Sequence, residues 1–164
     1  MEKIISSFFE NLSLWMMILV IILGLLVKTK QKILPERFLS LFLGLVAGVC
    51  SLEGFIMHAF FSDFTARAIG WPAGNPFQYE VSIANLTISV LGFTGAFIRN
   101  SGFRAASVIA FSIWLFGDGV GHLIQISTHH NMSPGNAGSI LYTDIFLPLI
   151  GLSLLIWAQK QKKA

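Results

Sequence analysis

The chain has 164 residues, of which 54% are hydrophobic and 12% are charged, and its mean hydropathy is +0.73. Soluble domains carry about 25% charged residues, and disordered chains combine low hydrophobicity with high net charge, so the composition excludes both classes. The formal net charge is only +3, and the single cysteine, Cys50, leaves neither an intrachain disulfide nor a thiolate metal cluster.

Five apolar runs follow one another along the chain, and each is near the roughly 20 residues that a helix needs to cross a bilayer. Short stretches rich in Pro, Gly, Asn, Lys or Arg separate them. We therefore predict an all-α, polytopic membrane helical bundle that forms a single domain over residues 1–164. The predicted transmembrane helices are residues 12–27, 38–61, 81–98, 105–126 and 140–158.

The first run is interpreted as a retained helix at the periphery of the bundle. The positive cluster follows this run instead of preceding it, and no A-x-A-like cleavage site lies near Val27. Both features differ from those of a cleaved signal peptide.

The basic residues predict the orientation of the bundle. Nine of the eleven Lys and Arg residues fall on one side of the predicted membrane, and only Lys3 and Arg67 fall on the other. The positive-inside rule places the larger group in the cytoplasm, so the N-terminus is outside and the C-terminus inside. The predicted partner is the lipid bilayer, and no nucleic acid is expected. The nine residues are Lys28, Lys30, Lys32, Arg37, Arg99, Arg104, Lys160, Lys162 and Lys163.

Acidic and imidazole side chains gather in the outer half of the predicted bundle. An ionisable residue inside a span costs about 2.5–3.5 kcal/mol on insertion scales and marks a functional site by default. Asp118 and His122 are four residues apart and share a helix face, whereas Glu53 and His58 are five apart, about 140° around the axis. The residues concerned are Glu53, His58, Glu80, Asp118, His122 and Asp144.

Glycines surround the Asp118–His122 pair. Gly117 and Gly121 form a small-xxx-small pattern, which lets a neighbouring helix approach closely. We therefore expect another helix to pack against these two glycines.

Two stretches of the sequence resemble each other and predict a duplicated helical hairpin, made of the second and third helices and of the fourth and fifth. Each has an acid followed by Gly, a His about one turn later, a loop with Pro, Gly and Asn, and then Tyr and an acid. Both hairpins run outward and then inward, so they would be parallel repeats about an axis along the membrane normal. The corresponding acids are Glu53 and Asp118 at the first position, and Glu80 and Asp144 at the last.

Four acids and two imidazoles at one centre in a low dielectric need protons or a cation to neutralise them. We predict a divalent metal, since carboxylate and imidazole together suit Zn²⁺, Mn²⁺ or Fe²⁺. The predicted ligands are Glu53, Glu80, Asp118, His122 and Asp144. His58 and His122 are the predicted catalytic residues, with a small or lipid-soluble substrate.

Other interpretations of the same residues remain open. The acids and histidines could relay protons or cations in a small transporter, or the chain could be an accessory subunit without chemistry. Haem between His58 and His122 is disfavoured, because carboxylates make a poor haem pocket. Glu80 and Asp144 lie near the N-termini of predicted helices, so their only role could be to offset the partial positive charge of the helix dipole there.

The segment after residue 71 resembles a family of small bacterial integral membrane proteins of unknown function. The resemblance covers the third to fifth predicted helices with their loops, and it implies a bacterial membrane protein without implying an activity. It rests on Pro76-Phe77-Gln78-Tyr79-Glu80, Asn85-Leu86, Gly117-Asp118-Gly119-Val120-Gly121-His122, Pro134-Gly135-Asn136-Ala137-Gly138 and Tyr142-Thr143-Asp144.

Overall fold

A computed structural model describes residues 11–26 and 34–163, and this part of the chain is helical with short connections and contains no strand. We number its helices in chain order. They are α1 Leu12–Leu26, α2 Leu34–Phe60, α3 Ser62–Ile69, α4 Phe77–Phe97, α5 Ser101–His129, the single turn α6 Pro134–Ala137, and α7 Ser139–Lys163. Within α2, Phe42–Cys50 is a π-helical segment.

Four of these helices are long and apolar enough to cross a membrane: α2, α4, α5 and the stretch Pro134–Gln161, which includes α6 and most of α7. They correspond to the second to fifth predicted spans. Helix α1 is apolar but has 15 residues, fewer than the roughly 17 that a span requires. Val27 of the first predicted span and the cluster Lys28–Lys32 lie outside the described residues, so the crossing of the membrane by this first span, and the orientation of the bundle, stay predictions.

Helices α4 and α5 begin earlier than the apolar runs that predicted them, because polar groups cap them outside the hydrophobic stretch. Helix α4 starts at Phe77 instead of residue 81, and the side-chain oxygen of Asn75 accepts a hydrogen bond from the Phe77 N–H at 2.9 Å. Helix α5 starts at Ser101 instead of 105, where Asn100 caps the Phe103 N–H in the same way. Such caps satisfy N–H groups that have no partner within the helix.

The helices pack as two antiparallel pairs, α2 with α4 and α5 with α7, and α4 also contacts α5. Backbones of the first pair meet closely: a Cβ atom at Gly92 of α4 would lie 2.6 Å from the backbone nitrogen of Gly48 in α2. The apolar core includes the π-helical segment, and the ring of Phe42 packs edge-on against Phe111 of α5 at 5.6 Å.

The prediction that Gly117 and Gly121 meet another helix is wrong. Both are exposed, and a Cβ atom at either would meet no described atom within 4 Å. The contact belongs to Gly119, which is buried, and a Cβ there would lie 3.4 Å from the Cβ of Asp144 in α7. Two residues turn a helix by about 200°, so Gly119 and its neighbours occupy opposite faces.

Arg104, predicted as a charge in an inner loop, lies inside α5 and is 1% exposed. Its guanidinium donates to Oε2 of Glu36 at 2.6 Å and to the hydroxyl of Ser40, both in α2. It also donates to carbonyl groups at the end of α4, Gly95, Ala96 and Ile98, where helical carbonyls lack intrahelical partners. One side chain thus joins α2, α4 and α5.

Candidate functional site

The second hairpin, α5 with α7, places a histidine and a carboxylate against each other. The His122 Nε2 atom lies 3.4 Å from Oδ2 of Asp144, and the two side chains are 12% and 6% exposed. Gly119, one turn before His122, makes room for α7 because it has no side chain to hold the backbones apart. Both members of this pair were predicted from the sequence as site residues.

A buried asparagine fixes the other nitrogen of the His122 ring. Asn136, which is 0% exposed, has its Nδ2 amide directed at the carbonyl oxygen of Asn131 at 2.8 Å and of His122 at 3.4 Å. Its Oδ1 therefore faces the ring, 2.8 Å from Nδ1, and accepts a hydrogen bond from Nδ1–H. In the neutral imidazole the lone pair must then be on Nε2, the nitrogen facing Asp144.

Two hydrogen-bond acceptors therefore face each other, the lone pair of His122 Nε2 and the Oδ2 atom of Asp144. The Asp144 Oδ2 atom is buried and has no hydrogen-bond partner among the described residues. An imidazole lone pair and a carboxylate repel unless a positive species lies between them. The pair therefore needs either one proton or a metal ion.

Asp118 adds a second carboxylate to the pair. It lies one turn before His122 on α5, is half-buried, and is close enough to interact electrostatically with both Asp144 and His122. A further negative charge at this point increases the demand for a cation.

The remaining predicted site residues have other surroundings. Glu53 of α2 is near Cys50, whose thiol interacts with Ser13 of α1. Glu80 is exposed in the first turn of α4. Within residues 11–26 and 34–163, no group of three or more His, Cys, Asp or Glu side chains is placed to hold a metal ion. Metal binding by the predicted ligands stays a prediction.

His58 contacts an amide that the sequence analysis did not single out. Its Nδ1 lies 2.6 Å from Oε1 of Gln78 in the first turn of α4, and Gln78 is 1% exposed. The separation of 20 residues is close to the 22 between His122 and Asp144. Each hairpin thus joins a histidine near the outer end of one helix to a side chain opening the next. The duplication itself, and the catalytic role of His58, stay predictions.

Asn136 and Gln78 were both missed as site residues, although a signal for each was present. Asn136 belongs to the Pro-Gly-Asn loop that recurs in the two hairpins, and Gln78 precedes by two residues the acid that the repeat singled out. Both are neutral amides, and a search for ionisable groups in apolar segments passes over them.

Small size, four long apolar helices and a polar pair between two of them define the class of membrane-type α-helical bundles. Within that class the chain belongs to a family of unknown function, DUF6790, whose model matches residues 9–164. The predicted membership of a family of unknown function is thereby confirmed, whereas the bacterial source stays a prediction. No curated protein and no solved structure matches the chain.

Proposed function

We propose that this is an integral membrane protein that binds a divalent metal ion between α5 and α7. His122 and Asp144 are the proposed ligands, through Nε2 and Oδ2, and Asp118 supplies a third after a change of its side-chain rotamer. The observation that carries the proposal is the 3.4 Å separation of two facing acceptors.

This separation matches metal coordination. Zinc binds histidine nitrogen at about 2.0–2.1 Å and carboxylate oxygen at about 2.0–2.2 Å in tetrahedral geometry. When a nitrogen and an oxygen at these distances subtend the tetrahedral angle at the metal, the two ligand atoms lie about 3.4 Å from each other. Mn²⁺ and Fe²⁺ accept the same donor atoms, so the donor set supports these three metals.

The hydrogen bond from the Nδ1–H of His122 to Oδ1 of Asn136 also supports a metal site, because it holds the ring with Nε2 towards Asp144. Ligating histidines usually donate their other ring N–H to a carbonyl, carboxylate or water, which orients the ring and fixes the tautomer. With three protein ligands the ion would keep one position open. A water bound there would be activated towards a small or lipid-soluble substrate.

Elemental analysis of the purified protein tests the proposal. The full chain is purified in mild detergent without chelator, and its Zn, Mn and Fe contents are compared with those of His122→Ala and Asp144→Asn. We expect a stoichiometric metal in the parent protein and its loss from both variants. His129→Ala, which changes an exposed histidine of the same helix, is the matched control and keeps the metal. A metal-free parent protein would refute the proposal.

A proton shared between His122 and Asp144 is the second candidate, and the absence of a complete ligand group among the described residues favours it. The pair would then serve proton or cation transport. The packed core around Phe42 and Phe111 and the buried Arg104 close the other end of the bundle, which argues against a continuous path. Proton flux into liposomes that is abolished by Asp144→Asn, in metal-free protein, would select this candidate.

The cellular location is proposed on the charge distribution. Nine of the eleven Lys and Arg residues lie on one side of the predicted spans, which supports the bacterial cytoplasmic membrane with the polar pair in its outer half. Labelling of single cysteines introduced at Ser62 and at Arg99, using a reagent that does not cross the membrane, tests this orientation. Labelling at Ser62 and protection at Arg99 are expected.

A further inference from the structure

A cavity of about 260 Å³ opens at the outer end of the first hairpin, away from the His122–Asp144 pair. It lies where α2, α3 and α4 meet. Ala59, Ser62, Gly74, Asn75, Pro76 and Tyr79 line it together with His58 and Gln78. At roughly 30 Å³ for each water molecule of the liquid, the cavity has room for the head of a small molecule.

Among the described residues, the His58–Gln78 contact leaves the Gln78 amide N–H without an acceptor. The Gln78 Oε1 atom accepts from Nδ1–H of His58 at 2.6 Å, so in the neutral ring Nε2 carries the lone pair. The Gln78 Nε2 amide is buried and has no hydrogen-bond partner among the described residues. A buried amide N–H without an acceptor is costly, and Gln78 lines the cavity, so an oxygen atom bound in the cavity would supply the missing acceptor.

The rim of the cavity is held in place before any ligand arrives. Oδ1 of Asp63 in α3 accepts a hydrogen bond from the Gly74 N–H at 2.8 Å, and Gly74 adopts a φ of +74° that suits glycine. Asn75 accepts from the Phe77 N–H at 2.9 Å. These two hydrogen bonds hold the loop between α3 and α4 at the rim of the cavity.

The charge and the surroundings of the cavity indicate the class of ligand. The described residues that line it include no Asp, Glu, Lys or Arg, and the Asp63 carboxylate at the rim accepts the Gly74 N–H, so the lining carries no Lys or Arg to pair with an anionic head. Three aromatic side chains at or beside the cavity are exposed: Phe60, Phe77 and Tyr79. Tyr79 lines the cavity, and Phe60 and Phe77 are next to lining residues in the sequence. Aromatic side chains of this kind sit at the interface between lipid tails and water, where an amphiphile would enter.

We propose that this cavity binds the uncharged head of an amphiphile dissolved in the membrane. Its hydroxyl or carbonyl oxygen accepts the free N–H of Gln78, while its apolar tail stays among the lipids beside Phe60 and Phe77. A hydroxyl head also donates to Nε2 of His58. The site requires no metal, so it stands independently of the function proposed above.

Photolabelling of the full chain in lipid nanodiscs tests this site. Two probes carry the same photoactivatable ten-carbon tail, one with an alcohol head and one with a phosphate head, and labelled peptides are identified by mass spectrometry. We expect the alcohol to label residues 58–79 and to be displaced by unlabelled 1-decanol. Equal or stronger labelling of this segment by the phosphate probe would overturn the proposal, because the lining has no cation for it.

Variants separate a specific site from general lipid contact. Gln78→Leu removes the free N–H at similar size and should lower alcohol labelling about three- to tenfold, the loss expected for one hydrogen bond. Gln125→Leu, on α5, is the matched control and should leave it unchanged. Ala59→Phe fills the cavity while His58 and Gln78 keep their identities, and it should also abolish labelling. If Gln78→Leu fails to fold, Ala59→Phe still tests the site.

Unchanged labelling in both Gln78→Leu and Ala59→Phe would overturn the proposal. Metal content measured on the same samples should equal that of the parent protein, because neither residue is near His122. Failure of this site and failure of the metal site are therefore distinguishable.

Discussion

Replacing Arg104 with alanine should destabilise the bundle more than any other single change at its predicted inner end. The guanidinium is buried and joins three helices, through Glu36 and Ser40 of α2 and three carbonyl groups at the end of α4. Removing one partner of a buried ion pair costs about 3–5 kcal/mol, and the Arg104 side chain is the more deeply buried partner of this pair, at 1% exposed. Arg104→Ala should lose at least this much.

Related variants rank the contributions. Arg104→Lys keeps a positive charge for Glu36 but loses the planar fork that reaches several acceptors, so its loss should be intermediate. Ser40→Ala removes one hydrogen bond to a charged group and should cost about 1.5–3 kcal/mol. Arg67→Ala, which changes an exposed arginine of α3, should stay within about 0.5 kcal/mol of the parent protein.

The assay is equilibrium unfolding in detergent, with increasing sodium dodecyl sulfate and helicity followed by circular dichroism. The order of stability should be parent, Ser40→Ala, Arg104→Lys, Arg104→Ala. If Arg104→Ala and Arg67→Ala unfolded at the same concentration of sodium dodecyl sulfate, the guanidinium of Arg104 would not join the helices as described.

Three further predictions concern packing and the site. Gly92→Ala should melt well below Gly117→Ala, because a Cβ at Gly92 would meet the backbone of α2 at 2.6 Å whereas Gly117 has open space; equal melting temperatures would contradict the close packing. Asn136→Leu should let the His122 ring adopt both neutral tautomers, seen by ¹⁵N NMR of labelled imidazole, where the parent has only Nδ1–H; an unchanged spectrum would contradict the role of Asn136. Glu80→Gln should retain the metal content of the parent, because Glu80 is exposed; loss of metal would bring Glu80 back as a ligand.

The apolar runs predicted the long helices well, since length and hydropathy alone decide which segments can cross a bilayer. The four-residue spacing of Asp118 and His122 likewise put both on one face of α5. The rotation of each helix about its axis was harder to predict, because it depends on packing partners far away in sequence. The exposure of Glu80 and the burial of Gly119 between exposed glycines both follow from that rotation.

Arg104 shows why a charge count misjudges single residues. Counted with the inner loops, it supports the predicted orientation. Its burial depends on Glu36, 68 residues earlier, and on carbonyl groups freed at the end of α4. No local pattern contains that information, and the same holds for Asn136, whose burial depends on the ring of His122 fourteen residues before it.

Titration of the metal-free protein with Co²⁺ would show whether His122 and Asp144 share a cation. Cobalt bound at a four-coordinate site of nitrogen and oxygen ligands gives intense visible absorption. We predict a saturable cobalt spectrum in the parent protein, its loss in the double variant His122→Ala/Asp144→Asn, and its retention in His129→Ala. An identical spectrum in the double variant, or no spectrum in the parent, would contradict the claim.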